Sequence, residues 1–518
     1  MIRDLLNGVP PEPQRADVCI IGAGAAGIIL AVELVKKGKT VLLLEGGGAD
    51  VEAASQEPYQ SETTGIRHTG IHIGRFRAEG GSTTRWGGQI LELDDFDFEP
   101  REGIPSSGWP FPKSELTSWY ARAIELEGLS NAIPQDEGVW SRLGLAAPSF
   151  DSLRTVFSRW CPEPSFARLH AETLNNHPAL TVWLHANAVE MTWQGPHFRS
   201  IRCRTLTGIE ATFSADHFVF ALGGIESSRF FLQPAAASGP WTRSGLLGRH
   251  FQDHIVSTAA TIEVHDARLL HNVFDNVFSG GIKYQPKIQL TRARQAEAGT
   301  LNVAASISFV SDADEALGRL KETARRLLRG RWRESSVADL VHAARYSPSL
   351  ARWILRYNLQ HRAYNPPNAV VGLLVHCEQE PESASSITLS DARDSLGMFR
   401  TRLDWQVSDR ELYSMRTLVE IAANSLSGIG RIVPDPDLMS LNPSFKARCG
   451  DNYHHMGGMR MSVSPSHGVV DPDLRLHGME NGYICSSAVF PCSGYSNPTH
   501  TLLALAVRLA ARLAAQLT

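Results

Sequence analysis

The chain has 518 residues, of which 43% are hydrophobic and 20% are charged, and its formal net charge is −4 at pH 7. This composition is typical of a globular protein, and the slightly acidic balance argues against a nucleic-acid-binding protein. A chain of this length can bury a large core and is expected to form two domains, or one domain with large insertions.

The seven cysteines are scattered, without a C-x-x-C pair or zinc-like spacing to histidine, so reduced thiols and no metal site are predicted. The first residues, MIRDLLNGVPPEPQRAD, lack an apolar targeting segment, and no window approaches eighteen uninterrupted apolar residues. These features predict a soluble cytoplasmic protein without a membrane-spanning helix.

A buried strand, the turn GAGAAG, a helix and a second buried strand ending in Glu45 follow one another over residues 17–45. Gly22 permits the tight turn, Gly24 lets a pyrophosphate approach the helix N-terminus, and Gly27 lets helix and strand pack closely. Glu45 is placed to accept both hydroxyls of an adenosine ribose. The motif predicts a bound dinucleotide without distinguishing NAD from FAD, and the terminal acid disfavours the 2′-phosphate of NADP.

The next informative stretch is GRFRAEGGSTTRWGGQ at residues 74–89, which contains two Gly-Gly pairs. Such pairs indicate a backbone that comes very close to a flat or charged ligand. Simple NAD dehydrogenases have no such loop.

Two later segments are read either as parts of the nucleotide site or as ordinary sheet. Residues 180–189 predict one strand that could lie against an adenine. Residues 214–224 predict a strand that runs into Gly223 and Gly224, followed by a helix over 225–232.

The middle of the chain, residues 261–449, is expected to carry substrate specificity. Residues 285–290 are predicted to form a strand that could line the substrate pocket, and no chemistry is assigned to them. The basic segment 319–362 is open to three interpretations: a solvated helical excursion, a membrane-surface amphipathic segment, or a lid over an anionic substrate.

Near the C-terminus a polar mouth, SNPTH at residues 496–500, precedes an almost wholly apolar helix. Asn497 is a favoured N-cap, and proline suits the first helical turn. From Leu502 onward Arg508, Arg512 and Gln516 recur every four residues, which predicts one narrow polar stripe on a buried helix. The mouth is then either a structural cap or half of a binding site.

Taken together, these motifs resemble the glucose-methanol-choline (GMC) flavoprotein oxidoreductases, in particular their bacterial sugar and glycoside branch, which is similar to pyranose oxidase. The resemblance runs from end to end of the chain through residues 22–27, 80–88, 107–110, 221–224, 248–254 and 453–505. It implies a mixed α+β and α/β fold, with a Rossmann-like FAD-binding domain and an inserted substrate domain built on an antiparallel sheet with helices. The implied boundaries are 14–100, 180–260 and 450–518 for the FAD domain, and 101–179 and 261–449 for the substrate domain.

The resemblance also implies the catalytic pair. In GMC proteins the base is the histidine three residues before the glycine that begins a Gly-Gly or Gly-Thr pair, and counting back from Gly457 gives His454. Its partner falls 43 residues later, at Asn497. His455 is the rival base. The remaining candidates are expected to be structural or to support the site indirectly, namely His254, His467, His477 and His500.

For the cofactor, the resemblance implies FAD. Some relatives attach it through a histidine in the loop that matches residues 84–86, where this chain has Arg85, so non-covalent FAD is expected. The backbone N–H groups of Thr499 and His500 are expected near flavin N1 and the C2 carbonyl. The implied cofactor-binding residues are Gly22, Gly24, Gly27, Glu45, Gly81, Ser82, Gly87, Gly88, Val189, Ala221, Gly223, Ala488, Pro498, Thr499 and His500.

The implied function is oxidation of an alcohol on a sugar, glycoside or sugar-bearing metabolite, by proton abstraction and hydride transfer to flavin N5. Two alternatives stay open: a hydroxynitrile-type lyase without redox turnover, and a non-sugar alcohol dehydrogenase that feeds a membrane electron acceptor. The expected partners are the small alcohol and O2 or another electron acceptor, without nucleic acid and with peripheral membrane contact possible through 319–362. The sequence does not give the substrate, the acceptor or the oligomeric state.

Overall fold

The structure, a computed structural model, describes residues 1–10, 14–311, 352, 355–356, 358–366 and 368–517. Among these residues the chain forms twenty strands and several helices. The strands are β1 (Ile2–Asp4), β2 (Gln14–Ile21), β3 (Val41–Leu44), β4 (Glu62–Gly65), β5 (Gln89–Ile90), β6 (Leu153–Trp160), β7 (Leu180–Leu184), β8 (Asn187–Gln194), β9 (His197–Arg204), β10 (Glu210–Phe220), β11 (Ile255–Val264), β12 (Val277–Ser279), β13 (Ile282–Leu290), β14 (Val303–Val310), β15 (Val370–Cys377), β16 (Ser386–Arg393), β17 (Phe399–Trp405), β18 (Gly430–Pro434), β19 (Gly450–Asp451) and β20 (Gly482–Ile484). The helices are Ala25–Lys36, Gly70–Ile73, Asp95–Phe98, Thr117–Leu126, Asp136–Arg142, Phe166–Leu169, Ala171–Asn176, Gly224–Leu232, Ala267–Phe274, Arg292–Ala298, Asp409–Ser425, Pro436–Met439, Pro443–Arg448 and Pro498–Gln516.

The first sheet has the strand order β1-β7-β3-β2-β10-β9-β8, with β20 also paired to β10. Neighbours from β1 to β10, and β20, run parallel, whereas β10, β9 and β8 pair antiparallel. The apolar runs of β2 and β3 are buried, as expected for parallel strands covered on both faces. The predicted strand–turn–helix–strand unit of residues 17–45 is therefore confirmed.

The second sheet has the order β18-β11-β15-β14-β13-β6-β5, with antiparallel neighbours, and carries β12 and β19 beside β13 and β11. The predicted strand 285–290 lies within β13. A third, small sheet is formed by β16, β17 and β4. The strands of the first sheet come from residues 2–44, 180–220 and 482–484, and those of the second come from 89–90, 153–160 and 255–451. The predicted domain boundaries themselves stay a prediction.

The single strand predicted over residues 180–189 is wrong, because the chain turns between β7 and β8. His185 adopts a left-handed conformation at φ 53°. Its two ring nitrogens each lie 2.9 Å from a carboxylate, of Asp4 and of Glu52. These contacts hold the turn, and the residues after it line the cavity described below.

The C-terminal helix is Pro498–Gln516, and it packs against the first helix, Ala25–Lys36. Most of its apolar positions are buried, although Leu502, Ala511 and Ala514 are half-buried and Ala515 is exposed. Arg508 is half-buried, and Arg512 and Gln516 are exposed, so the predicted polar stripe is confirmed.

Most of the basic segment 319–362 lies outside the described residues, and its three interpretations stay untested. Among its described residues, Arg356 pairs with Asp275, and Arg362 donates to the carbonyls of His271 and Asn272. All seven cysteines lie in described parts of the chain, where they are buried and free of disulfides. Within the described residues, we find no helix whose length and apolarity would suit a bilayer span.

Candidate active site

A cavity of about 560 Å³ opens at the carboxyl ends of β2, β3 and β10, where ligands of parallel sheets commonly bind. Three helix N-termini border it, those of Ala25–Lys36, Gly224–Leu232 and Pro498–Gln516. Among the residues that the structure describes, no side chain caps any of these three termini. Their free N–H groups and positive helix ends therefore face the cavity and suit an anionic ligand.

The glycine turn is fixed by close contacts. Gly22 has φ +108°, and a Cβ there would lie 2.4 Å from the carbonyl oxygen of Ala221. A Cβ on Gly27 would lie 1.9 Å from the carbonyl oxygen of Gly22, so Gly27 serves helix–strand packing and does not line the cavity. Around Gly24 no atom would approach a Cβ within 4 Å, so its surroundings are open toward the cavity.

Glu45 follows β3 and lines the cavity with a carboxyl group that is 6% exposed. Its Oε2 accepts the N–H of Ala23 at 3.0 Å, and its Oε1 accepts the N–H of Gly47 at 2.9 Å. Burial raises the pKa of Glu45, although these two N–H groups act in the opposite direction. The carboxyl group is held rigidly at the cavity wall, and its predicted contact with a ribose stays a prediction.

The loop of residues 74–89 closes over the glycine turn. A Cβ on Gly81 would lie 2.9 Å from the Cα of Gly24, so the two backbones touch. Gly81, Ser82 and Gly87 line the cavity, whereas Gly88 packs on Pro164 instead.

A buried cluster of charges in the same wall was not found from the sequence. The guanidinium groups of Arg75 and Arg77 lie over the ring of Tyr59 at 4.2 and 5.0 Å, and both approach Glu226 within 4.0 Å. Arg75 Nη1, Arg77 Nε and Glu226 Oε2 are buried without a hydrogen-bond partner in the described part of the chain. Arg229 pairs with the other oxygen of Glu226 at 2.7 Å. Spacing alone gives no sign of this cluster, because its members come from distant segments.

The predicted pair is brought together at the other end of the cavity. Asn497 Nδ2 lies 3.0 Å from His454 Nε2, and both residues line the cavity. The Asn497 side chain does not cap the helix that it precedes, since its amide is directed to His454. The cap and the site were competing explanations for the polar mouth; the side chain does not act as the cap, and its role in a binding site stays a prediction.

On its other side, the His454 ring has two further neighbours. His454 Nδ1 lies 2.8 Å from His254 Nδ1 and 3.3 Å from Asn452 Nδ2. Burial, followed by the nearby His254, His376 and Lys287, holds the pKa of His454 well below its usual value. His454 is thus a neutral imidazole at neutral pH, as a proton acceptor must be.

His455, the rival base, faces a different set of groups. Its Nε2 lies 3.8 Å from Asp253 Oδ2, and its ring lies 5.3 Å from that of His68. Although His455 also borders the cavity, Asn497 is hydrogen-bonded to His454. The geometry therefore favours His454 over His455.

Several predicted cofactor residues are not among those lining the cavity. Ala221, Gly223, Pro498 and Thr499 line it. The residues outside the lining are Gly27, Gly88, Val189, Ala488 and His500. In place of Val189 the chain presents Ala186, Asn187 and Ala188, because the turn at His185 shifts the approach of the backbone.

Comparison with known proteins bears on this site. Residues 381–506, which include His454 and Asn497, match the family model described as GMC oxidoreductase. This part of the chain is therefore similar to the GMC oxidoreductases. The chain is 24% identical to the 6′′′-hydroxyparomomycin C oxidase of Streptomyces lividus, over 98% of this chain and 93% of that protein. It is 22% identical to the paromamine 6′-oxidase of Streptomyces fradiae, over 97% and 92% of the two chains.

Two further similarities are partial or structural. The chain is 28% identical to the C-glycoside 3-oxidase of Microbacterium trichothecenolyticum, but over 29% of this chain and 28% of that protein. Its fold resembles that of pyridoxine 4-oxidase from Mesorbium loti, with a TM-score of 0.56 and 17% identity over 96% and 98% of the chains. Formate oxidase gives a TM-score of 0.58, at 16% identity over 98% and 99%.

Proposed function

We propose that this protein is a GMC oxidoreductase that oxidises an alcohol group on a sugar, glycoside or sugar-bearing metabolite, with non-covalently bound FAD. The observation that carries the proposal is the His454–Asn497 pair, which meets at 3.0 Å on the wall of a cavity bordered by three uncapped helix N-termini. The relatives' names support the substrate class, because they are oxidases of aminoglycosides and C-glycosides.

The residues present fit FAD. The open backbone at Gly24 and the free N–H groups after it suit a pyrophosphate, and the carboxyl group of Glu45 suits a ribose. The orphaned donors of Arg75 and Arg77 suit an anionic, oxygen-rich ligand. This arrangement supports a Rossmann-like FAD domain with an inserted substrate domain.

FAD, His454 and Asn497 each have a separate role in the proposed reaction. When bound, FAD supplies the acceptor for the hydride that leaves the carbinol carbon. His454 Nε2 takes the hydroxyl proton, because His454 lines the cavity beside Asn497 and its pKa is low enough to leave the imidazole neutral. Asn497 holds the same substrate oxygen through its amide, without exchanging a proton. The N-terminus of Pro498–Gln516 favours negative charge that develops next to it.

Two finer points also belong to this proposal. FAD is released on denaturation, since Arg85 stands where some relatives have an attachment histidine. The protein works in the cytoplasm, which is consistent with seven free cysteines.

The test begins with acid precipitation of the purified protein, which should release intact FAD into the supernatant. The FAD-loaded protein is then mixed anaerobically with a panel of neutral sugars, C-glycosides and aminoglycosides, and the flavin absorbance is followed. Bleaching by a member of the panel supports the proposal and excludes a lyase without redox turnover. Bleaching by simple non-sugar alcohols alone would replace the substrate class, and a protein that binds no flavin would refute the proposal.

A further inference from the structure

We propose that His254 is a positioning residue that holds His454 in the tautomer with its proton on Nδ1, which leaves a lone pair on Nε2 to take the substrate proton. The two Nδ1 atoms lie 2.8 Å apart, so one must donate and the other accept. This inference rests on the proposed function only in treating His454 as the base.

The direction of this hydrogen bond follows from the far side of the His254 ring. His254 Nε2 lies 3.4 Å from the backbone carbonyl oxygen of Ser493. Because a carbonyl can only accept, the His254 proton belongs on Nε2, and its Nδ1 is left with a lone pair. His454 Nδ1 must then carry the proton that joins the two rings. The order of donation runs from Asn497 to His454, from His454 to His254, and from His254 to Ser493.

The carboxylate of Asp253 fixes the positions of the His254 and His454 backbones relative to each other. Asp253 Oδ1 accepts the backbone N–H groups of His254 at 2.7 Å, His454 at 2.9 Å and Asn452 at 3.3 Å. Its Oδ2 lies 3.0 Å from His68 Nε2. The carboxylate ties the start of β11 to the loop that carries His454, so neither ring can move away without breaking buried bonds.

Asn452 is compatible with this tautomer. Its Nδ2 lies 3.3 Å from His454 Nδ1. A half-turn of the side-chain amide exchanges its nitrogen and oxygen without moving the group. With His454 Nδ1 protonated, Asn452 presents its oxygen to that proton. It thus becomes a second acceptor beside His254.

His254 is suited to remain an acceptor while His454 gains a proton. Burial lowers the pKa of His254 to about 4, so it stays neutral over the working range of pH. The titratable groups that influence His454 are His254, His376, Lys287 and His455. Those that act on His254 are Asp253, Lys287 and Glu378. The neutral His254 ring is the one of these groups that is hydrogen-bonded to the His454 ring.

The direct test reads the tautomer without any substrate. In the FAD-loaded protein labelled with 15N-histidine, the His454 resonances are assigned by their loss in His454→Gln, and the protonated nitrogen is identified at pH 8. A proton on Nδ1 supports the proposal. A proton on Nε2 in the wild-type protein overturns it.

A matched pair of variants tests the consequence. His254→Asn keeps an acceptor oxygen close to the position of Nδ1, whereas His254→Leu fills similar space without one. We expect His254→Leu to slow anaerobic flavin reduction by about ten- to a hundredfold with little change in the KM, and His254→Asn to recover most of that loss. In His254→Leu the His454 proton should also become distributed between Nδ1 and Nε2.

The outcomes separate this proposal from the proposed function. If both variants are equally slow, or both match the wild-type protein, the acceptor role of His254 is wrong. If His454→Gln leaves flavin reduction intact, the assignment of the base fails, while the 15N measurement still decides the tautomer. Should His254→Leu fail to bind FAD or to fold, the wild-type spectrum decides alone.

Discussion

Two histidines near the first turn of the C-terminal helix have opposite surroundings. His454 meets an amide of Asn497 and an imidazole of His254. His500, within the helix, lies 2.8 Å from a carboxylate oxygen of the buried Glu127 and stacks on Tyr120. Burial alone lowers the pKa of both rings, yet the nearby carboxylate reverses the direction for His500, whose pKa is raised.

Because both rings are buried, the partner decides the direction in which the pKa of each histidine shifts. His454, the proposed base, has neutral partners. An imidazole that fixes a helix to its neighbour has a carboxylate. The predictions below test this difference.

The largest effect is expected from removing the neutral histidine. His454→Ala should slow anaerobic flavin reduction by about 10²–10⁴-fold while FAD stays bound, because the general base is lost. The rate of flavin reduction is measured by rapid-mixing spectroscopy on samples of equal FAD content. The control is His477→Ala, whose ring bonds the Ser462 carbonyl. If His455→Ala abolishes flavin reduction while His454→Ala does not, the base is His455 and not His454.

The Glu127–His500 pair should contribute to the free energy of unfolding. Glu127→Gln leaves His500 buried without its carboxylate and should lower the free energy of unfolding by about 3 kcal/mol at pH 6. A raised pKa stabilises the fold below the ordinary value of 6.5 and ceases to do so as the pH rises through the folded value, so the loss should shrink at pH 9. Urea denaturation measures both.

The matched control for this pair is Glu125→Gln, two residues earlier. Its carboxylate is 55% exposed and pairs with Arg122, so the change should cost less than about 1 kcal/mol. Equal losses in Glu127→Gln and Glu125→Gln would show that the buried pair contributes nothing special.

Asn497→Asp should give His454 a carboxylate partner like the one that His500 has. An aspartate beside His454 Nε2 cannot donate and should stabilise the charged imidazolium, as Glu127 does for His500. The acid limb of the rate–pH profile should move about one to three pH units higher. Asn497→Ser, which removes the amide without adding charge, should slow reduction about tenfold and leave the limb in place. A rate–pH profile for Asn497→Asp that is superimposable on wild type would refute the contact.

The smallest effect concerns the unmodified protein. Because the pKa of His454 lies well below 6.5, flavin reduction should rise with pH only on the acid side and change little between pH 7 and 8. Stopped-flow rates from pH 5 to 8 check this. A midpoint above pH 7 would mean that the reacting base resembles His500 rather than His454.

The sequence alone determined the elements whose signals are local. The glycine turn with its two strands and helix, the strand before Gly223 and the buried C-terminal helix follow from periodicity and backbone freedom over short spans. The His454–Asn497 pair was also predicted, through the resemblance of motifs 43 residues apart. Where a local pattern was ambiguous, as at residues 180–189, a single turn residue held by distant carboxylates divided the strand.

The tertiary structure decided which side chains meet, and therefore their charge. His254 and His454 are 200 residues apart, and the sequence predicted only that His254 is one of several histidines that are structural or support the site indirectly. His500 was expected near the cofactor through its backbone, while Glu127, which sets the charge of its ring, carried no motif. Burial and electrostatic partners arise from packing between segments far apart in the chain, and they fix the protonation states on which the chemistry depends.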